Sequence, residues 1–265
     1  MKLFDCFMYN NEDLLLDLRL NILDKHVDHF VIVESSYDHQ GNKKNLNFKE
    51  ENYLKFKKKI KYIVLDNFPE KHSPWERENY HRNYIVNGLI DAKSDDYIMI
   101  SDLDEIPKIH DRNIFEKRKY TAFKQKMFYY RLNLHNITEP EWLGTRACKK
   151  KDLIKPQLLR NKKLKKYSIW RVDKKIKSIN WNIVENGGWH FSFAMSNLNI
   201  KKKIESFAHN EFNKPEFTNI KHIEESIFLK KDLFGRPFEF VKIDNEKELP
   251  EYLVANKDKF KDLLI

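Results

Sequence analysis

The strongest constraint on this chain is the repeated pairing, over its first hundred residues, of a short apolar run with an amphipathic helical stretch. Residues 2–8 form a first strand candidate, and Phe30-Val31-Ile32-Val33, Tyr62-Ile63-Val64-Leu65 and Tyr97-Ile98-Met99-Ile100 form three more. Between 10 and 23, Leu14, Leu15, Leu18 and Ile22 recur at three- and four-residue steps, which predicts an amphipathic helix. Pro74, suited to a first helical turn, opens a predicted helix that runs to residue 92. Strands alternating with helices bury their faces in a layered arrangement. The expected fold class is therefore α/β, with a mostly parallel central sheet flanked by helices.

Beyond residue 107 the pattern changes. Residues 121–134 predict a long strand at a sheet edge, the basic stretch 148–166 reads as a loop, and helical patterns return at 199–209 and 219–232. No repeat and no Gly/Ser linker divides the 265 residues, so a single domain over 1–265 is expected. A hydrophobic share of 41% with 19 Phe and 12 Tyr fills a core and argues against intrinsic disorder. Cys6 and Cys148 are the 2 cysteines, too few and too far apart for a disulfide framework or a zinc site, which points to a reducing compartment. No apolar run approaches the roughly 18 residues of a membrane span. Asp5 sits where a signal peptide would be apolar, so a cytoplasmic location is expected. With 50 Lys+Arg against 40 Asp+Glu, the net charge of +10 suits either an anionic partner or a lysine-rich solvated surface.

Only 6 glycines occur, and no G-x-G-x-x-G or G-x-x-x-x-G-K-[ST] is among their contexts, which argues against a dinucleotide fold and a P-loop. The adjacent pair Gly187-Gly188 precedes Trp189-His190, where glycine permits positive φ or a close backbone approach. The most informative string is Tyr97-Ile98-Met99-Ile100-Ser101-Asp102-Leu103-Asp104-Glu105-Ile106-Pro107. Two aspartates two apart in extended chain face the same side and can converge on a hard cation such as Mg²⁺ or Mn²⁺. In an open α/β sheet that position, beyond a strand's carboxyl end, is where ligands bind. The plainer reading is an acidic loop with solvated charges; the buried strand leading into it favours the metal. Nucleotide-sugar transferases and haloacid-dehalogenase-like phosphatases both use such a pair. The phosphatases carry it near the N-terminus with a later Gly-Asp, and this chain has no Gly-Asp dipeptide. A basic nucleic-acid-binding domain, supported by the Lys/aromatic interleaving at 162–170, is the non-catalytic alternative.

An ordered set of motifs resembles the β-1,4-mannosyl-glycoprotein 4-β-N-acetylglucosaminyltransferase family, in a microbial or viral member. It runs from Asn11-Glu12-x-Leu14-Leu15-x-Asp17-x-Arg19 and Val27-Asp28-x-Phe30-Val31-x-Val33-Glu34-Ser35 through Leu65-Asp66-x-Phe68-Pro69. Trp75 with Arg82, then Asp102-x-Asp104-Glu105-Ile106-Pro107 and Gly188-Trp189-His190, complete it.

The resemblance implies a GT-A-like nucleotide-sugar-binding fold, a UDP-sugar donor, a glycan or glycolipid acceptor, Mn²⁺ or Mg²⁺ as cofactor, and inversion at the anomeric carbon. Residues 1–107 would form the nucleotide-sugar-binding half and 108–265 the acceptor-binding half. Asp102 and Asp104 fall on the metal and donor-phosphate motif, and His190 on a C-terminal histidine that closes the metal shell. His209 is a weaker candidate there. Glu34 falls where the nucleoside is met, and Arg82 either reaches a phosphate or pairs with Glu78 at i−4. Trp75 reads as a packing residue. The general base is expected at Glu211, with Glu105, Glu141 and Glu185 as competitors. Secretory relatives carry an anchor and stem, whereas this chain opens almost on a strand. Action on a lipid-linked or surface glycan at the cytosolic face is therefore expected, with peripheral contact to anionic membrane and no nucleic-acid partner.

Overall fold

The computed structural model describes residues 1–68, 72–162, 164 and 181–265. Four parallel strands form one side of the sheet: β1 (Leu3–Tyr9), β2 (His29–Ser35), β3 (Ile60–Leu65) and β4 (Tyr97–Asp102), in the spatial order β3-β2-β1-β4. Their registers pair Tyr9 with Glu34, Glu34 with Val64, and Met8 with Asp102, so all four carboxyl ends open on one side. Helix α1 (Asp13–Leu23) forms where expected, but its buried face is wider than the spacing read from the sequence: Leu15, Leu16, Leu18, Leu20 and Leu23 are buried, and Leu14 and Ile22 are only half-buried. Helix α2 (Pro74–Asn83) starts on a capping box, Ser73 accepting from the Glu76 amide and Glu76 accepting from the Ser73 amide, with Pro74 in the first turn. It does not run to 92: residues Tyr84–Leu89 tighten into a 3-10 turn. That turn lies so close to β2 that a Cβ on Gly88 would come within 2.3 Å of Val31 Cγ1.

The second half adds β5 (Glu105–Pro107), β6 (Tyr120–Tyr129), β7 (Leu134–Asn136), β8 (Glu141–Lys149), β9 (Trp181–Val184), β10 (Gly188–Ser192) and β11 (Phe240–Lys242). Here the expectation of a mostly parallel sheet is corrected: β8 runs antiparallel to β4 and to β6, β7 antiparallel to β6 and β11, and β10 antiparallel to β5. A parallel neighbour needs a long crossover, and the stretch from 130 to 140 between β6 and β8 is too short to supply one. The whole sheet is mixed. The long strand also ends sooner than expected and is no edge: β6 has β7, β8, β9 and β10 as partners. Its Lys124 and Lys126 hold Glu141, Glu185 and Glu248 in ion pairs.

Part of the basic stretch is ordered as well, with Pro156–Asn161 forming helix α3; of the 162–170 interleaving, only Lys162 and Leu164 fall within the described residues. Helices α4 (Asn197–Ser206), α5 (Pro215–Thr218), α6 (Ile220–Phe228) and α7 (Glu251–Ala255) complete the chain. Ile200 and Ile204 of α4 pack on Ile223 and Ile227 of α6 and on Tyr129 and Leu134, a second core beside the one under α1. Among the described residues no helix is long and apolar enough to cross a membrane.

Candidate active site

The acidic turn after β4 is fixed from behind by Arg19, a side chain of α1 with no exposed surface. Its Nη1 donates to the carbonyl oxygens of Asp102, Leu103 and Glu105 at 3.0, 3.1 and 2.8 Å. Nε and Nη2 hold both oxygens of Asp5 at 2.8 and 2.6 Å. A planar guanidinium with five donors can bind a carboxylate and a tight carbonyl turn together, which an ammonium cannot. The backbone of residues 102–105 is thereby set, and its three carboxylates point into different surroundings.

Asp102 receives Arg82 Nη2 at 2.9 Å and Arg160 Nη2 at 3.0 Å, one on each oxygen. Burial pushes its carboxyl pKa up, but the two guanidiniums outweigh that and hold it well below the usual carboxylate range. Glu105 is buried and fully engaged, accepting from Trp142 Nε1 at 2.7 Å, Arg160 Nη2 at 2.8 Å and the Asp102 amide at 3.1 Å. Asp104 meets Lys203 Nζ at 3.4 Å and His190 Nε2 at 3.6 Å. Burial favours the neutral amine of Lys203, yet the charges of Asp104 and Glu12 raise its pKa above the ordinary lysine value.

Strand β10 delivers His190. Its antiparallel register on β5 sets His190 opposite Glu105 and Trp189 opposite Ile106. Gly188 makes that approach possible: its φ is +119°, and a Cβ there would stand 2.2 Å from the Ile106 carbonyl oxygen.

These groups line a cavity of about 340 Å³ at the carboxyl ends of the parallel strands, with Arg82, Asp102, Asp104, His190, Lys203 and His209 in its wall. Among the described residues, no group of three or more His, Cys, Asp or Glu could hold a metal ion. Asp102 is occupied by its arginines. Asp104 and His190 face each other at a separation close to the ~3.0 Å edge of an octahedral shell with ~2.1 Å bonds. His190 Nδ1 is buried with no hydrogen-bond partner among the described residues, but the nitrogen that faces Asp104 is Nε2, and an ion between the two would leave Nδ1 as it is. The chain thus offers two donors that fit a divalent cation.

The other residues singled out in the sequence scatter. Glu34 is wholly buried outside the cavity wall, accepting from the amides of Asn47 and Phe48 at 2.7 and 3.1 Å and from Tyr62 Oη at 2.8 Å. Arg82 makes the pair with Glu78, at 2.8 Å, and also lines the cavity. Glu141 and Glu185 share Lys124 and lie outside the cavity wall. Glu211 also lies outside it, 2.7 Å from His209 Nδ1, and it is His209 that lines the cavity. Trp75 is not a packing residue, being 45% exposed.

Sequence reasoning missed Arg160, Lys203, Glu12 and Trp142. For Lys203 a signal exists: it follows Ile200 by three and precedes Phe207 by four, on the inward face of α4. Arg160, in a basic stretch with no periodicity, left none.

The whole chain, residues 1–265, matches the sequence profile of glycosyltransferase family 17. The chain belongs to that family. It is 24% identical over 293 aligned positions to the mouse (Mus musculus) β-1,4-mannosyl-glycoprotein 4-β-N-acetylglucosaminyltransferase, an alignment that takes in 99% of this chain and 54% of the mouse protein. The human (Homo sapiens) and rat (Rattus norvegicus) proteins of the same name are each 31% identical over 116 residues, 40% of this chain and 22% of each relative. The chain therefore spans about half, or less, of the curated relatives it matches.

Proposed function

We propose that this chain is an inverting glycosyltransferase of GT-A type that moves N-acetylglucosamine or a related hexose from a UDP-sugar to a glycan acceptor. The observation that carries the reading is the Asp102–Glu105 turn, which Arg19 holds at the mouth of a cavity whose wall includes Arg82 and Lys203. Two cations beside an acidic turn suit a nucleoside diphosphate: they bind its oxygens and oppose the charge that grows on it as the sugar leaves. The activity that names the curated relatives supports the choice of sugar and of a β-mannosyl acceptor.

Asp104 and His190 would hold a divalent cation, Mn²⁺ or Mg²⁺, which supplies charge neutralisation at the diphosphate when bound. A shell with so few protein ligands is typical where substrate phosphates complete the coordination. Lys203 leaves Asp104 for the diphosphate in this scheme, while Arg82 and Arg160 keep Asp102 ionised and fixed. That clamp also speaks against a phosphatase, in which the first aspartate must be free to attack. The donor is assigned to residues 1–107 and the acceptor to 108–265 with the α2 rim; a cytosolic setting at an anionic membrane remains part of the proposal.

Thermal denaturation with UDP, UDP-N-acetylglucosamine and UDP-glucose, each with and without Mn²⁺, tests the reading. A cation-dependent rise in melting temperature with the UDP ligands is expected, and no rise with any of them would overturn it.

A further inference from the structure

We propose that Trp75, His209 and Glu211 form the acceptor subsite at the cavity rim, Trp75 as the platform for a pyranose ring and His209 as the proton acceptor. This rests on the glycosyltransferase reading above. Trp75 stands in the first turn of α2, where the Ser73–Glu76 capping box and Pro74 give its backbone little freedom. Its ring is 45% exposed and meets His209 edge-on, with centroids 4.5 Å apart and planes at 79°. The indole lies outside the cavity wall and meets it through His209, and a sugar's C–H face is complementary in shape to its exposed surface.

His209 is held from several sides. Phe207 and Phe212 lie 5.4 and 5.9 Å from its ring, and Gln40 Nε2 bonds the Phe207 carbonyl at 2.6 Å, tying this segment to the loop after β2. Glu211 Oε1 is 2.7 Å from His209 Nδ1. The hydrogen bond with His209 lowers the Glu211 pKa, which keeps that carboxylate an ionised, acceptor-only group. Nδ1 must then carry the hydrogen, and the lone pair is left on Nε2. A base oriented by a carboxylate through its other nitrogen is the arrangement used to activate hydroxyl nucleophiles.

The carboxylates in the cavity wall are all otherwise engaged. Glu12 faces Lys203 at 3.6 Å, Glu78 faces Arg82 at 2.8 Å, and Asp38 accepts from the Asn42 amide at 2.8 Å. His39, also in the wall, turns its Nε2 to His81 Nδ1 at 3.4 Å. Among the described residues, His209 is the cavity-wall histidine that hydrogen-bonds a carboxylate. In the step, the acceptor oxygen bonds to the anomeric carbon and its proton passes to His209 Nε2. The bond from that carbon to the diphosphate oxygen breaks, its electron pair leaves with UDP, and the imidazolium returns the proton to water.

The test uses the whole chain with Mn²⁺, UDP-N-acetylglucosamine as donor and methyl β-mannoside as acceptor, following transfer and donor hydrolysis together. Trp75→Ala is expected to raise the KM for the mannoside about tenfold while kcat changes less, since stacking is lost and chemistry is not. His209→Ala should lower kcat for transfer about 10²-fold, the usual worth of a general base, with added imidazole restoring part of it. Glu211→Gln should lower kcat for transfer while leaving the mannoside KM unchanged, because the imidazole loses the carboxylate that orients it. A mannoside KM within about twofold of wild type in Trp75→Ala, or a kcat within about threefold in His209→Ala, overturns the subsite. Loss of kcat in His209→Ala that imidazole leaves untouched, with a lowered melting temperature, overturns the base. Failure of the unmutated chain to bind UDP-N-acetylglucosamine defeats the donor reading instead, and it is seen before any rim variant is made.

Discussion

Arg19 Nη1 lies 2.8 Å from the carbonyl oxygen of Glu105, so a helix near the start of the chain holds the far end of the acidic turn in place. The same guanidinium is paired with Asp5, and neither side chain is exposed. Arg19→Ala leaves an uncompensated buried carboxylate as well as orphaned carbonyls, and a loss of about 3–5 kcal/mol is expected. Arg19→Ala with Asp5→Leu should recover only part of it, because the carbonyls stay unpaired. Denaturant midpoints of the three proteins check this.

Asp102 predicts a pH dependence. Its folded pKa is depressed, so its contribution to stability is complete above the unfolded carboxylate value near ~3.9 and is lost as pH falls toward the folded one. Stability curves of wild type and Asp102→Asn between about pH 6 and pH 2.5 should therefore converge on acidification. Parallel curves would remove the two-arginine clamp.

The proposed Asp104–His190 pair predicts cation binding that can be read without turnover. His190→Ala and Asp104→Asn should each weaken Mn²⁺ affinity in the presence of UDP by about tenfold or more, measured by electron paramagnetic resonance of free Mn²⁺. Equal affinities in all three proteins would remove the pair from the cation site.

Gly188 carries the geometry that brings His190 to Asp104. Gly188→Ala sets a Cβ against the Ile106 carbonyl at a φ of +119° and should cost about 1–3 kcal/mol. The same variant should weaken Mn²⁺ binding, since β10 can no longer seat on β5. Unchanged stability would show that the backbone there has room.

The parallel half of the fold was legible because β2 and β4 are buried along most of their length and read as unbroken apolar runs, as Val31–Val33 does, while β3, half-buried at the edge, still keeps the apolar run 62–65. The acidic turn was legible for the same reason, closing such a run. The antiparallel half was not, because side-chain alternation in β6 records which face is wet and carries nothing about which strands lie alongside. In the site, Asp102 and Asp104 come from one short string, whereas Arg160 and Lys203 arrive from α3 and α4 far along the chain, Lys203 in the run Lys201-Lys202-Lys203 that reads as solvated surface. Glu211, the expected base, lies outside the cavity wall and 2.7 Å from His209, which lines it, a relation of two residues that spacing alone does not order.

The most direct measurement is product formation by the purified chain with UDP-N-acetylglucosamine, Mn²⁺ and methyl β-mannoside, followed by mass spectrometry and by released UDP. A glycosyltransferase built around the Asp102–Glu105 turn gives the N-acetylglucosaminyl mannoside with UDP in equal amount, and a folded Asp104→Asn variant gives neither. Equal UDP release by wild type and Asp104→Asn, or no binding of any UDP-sugar by a folded wild-type chain, would contradict it.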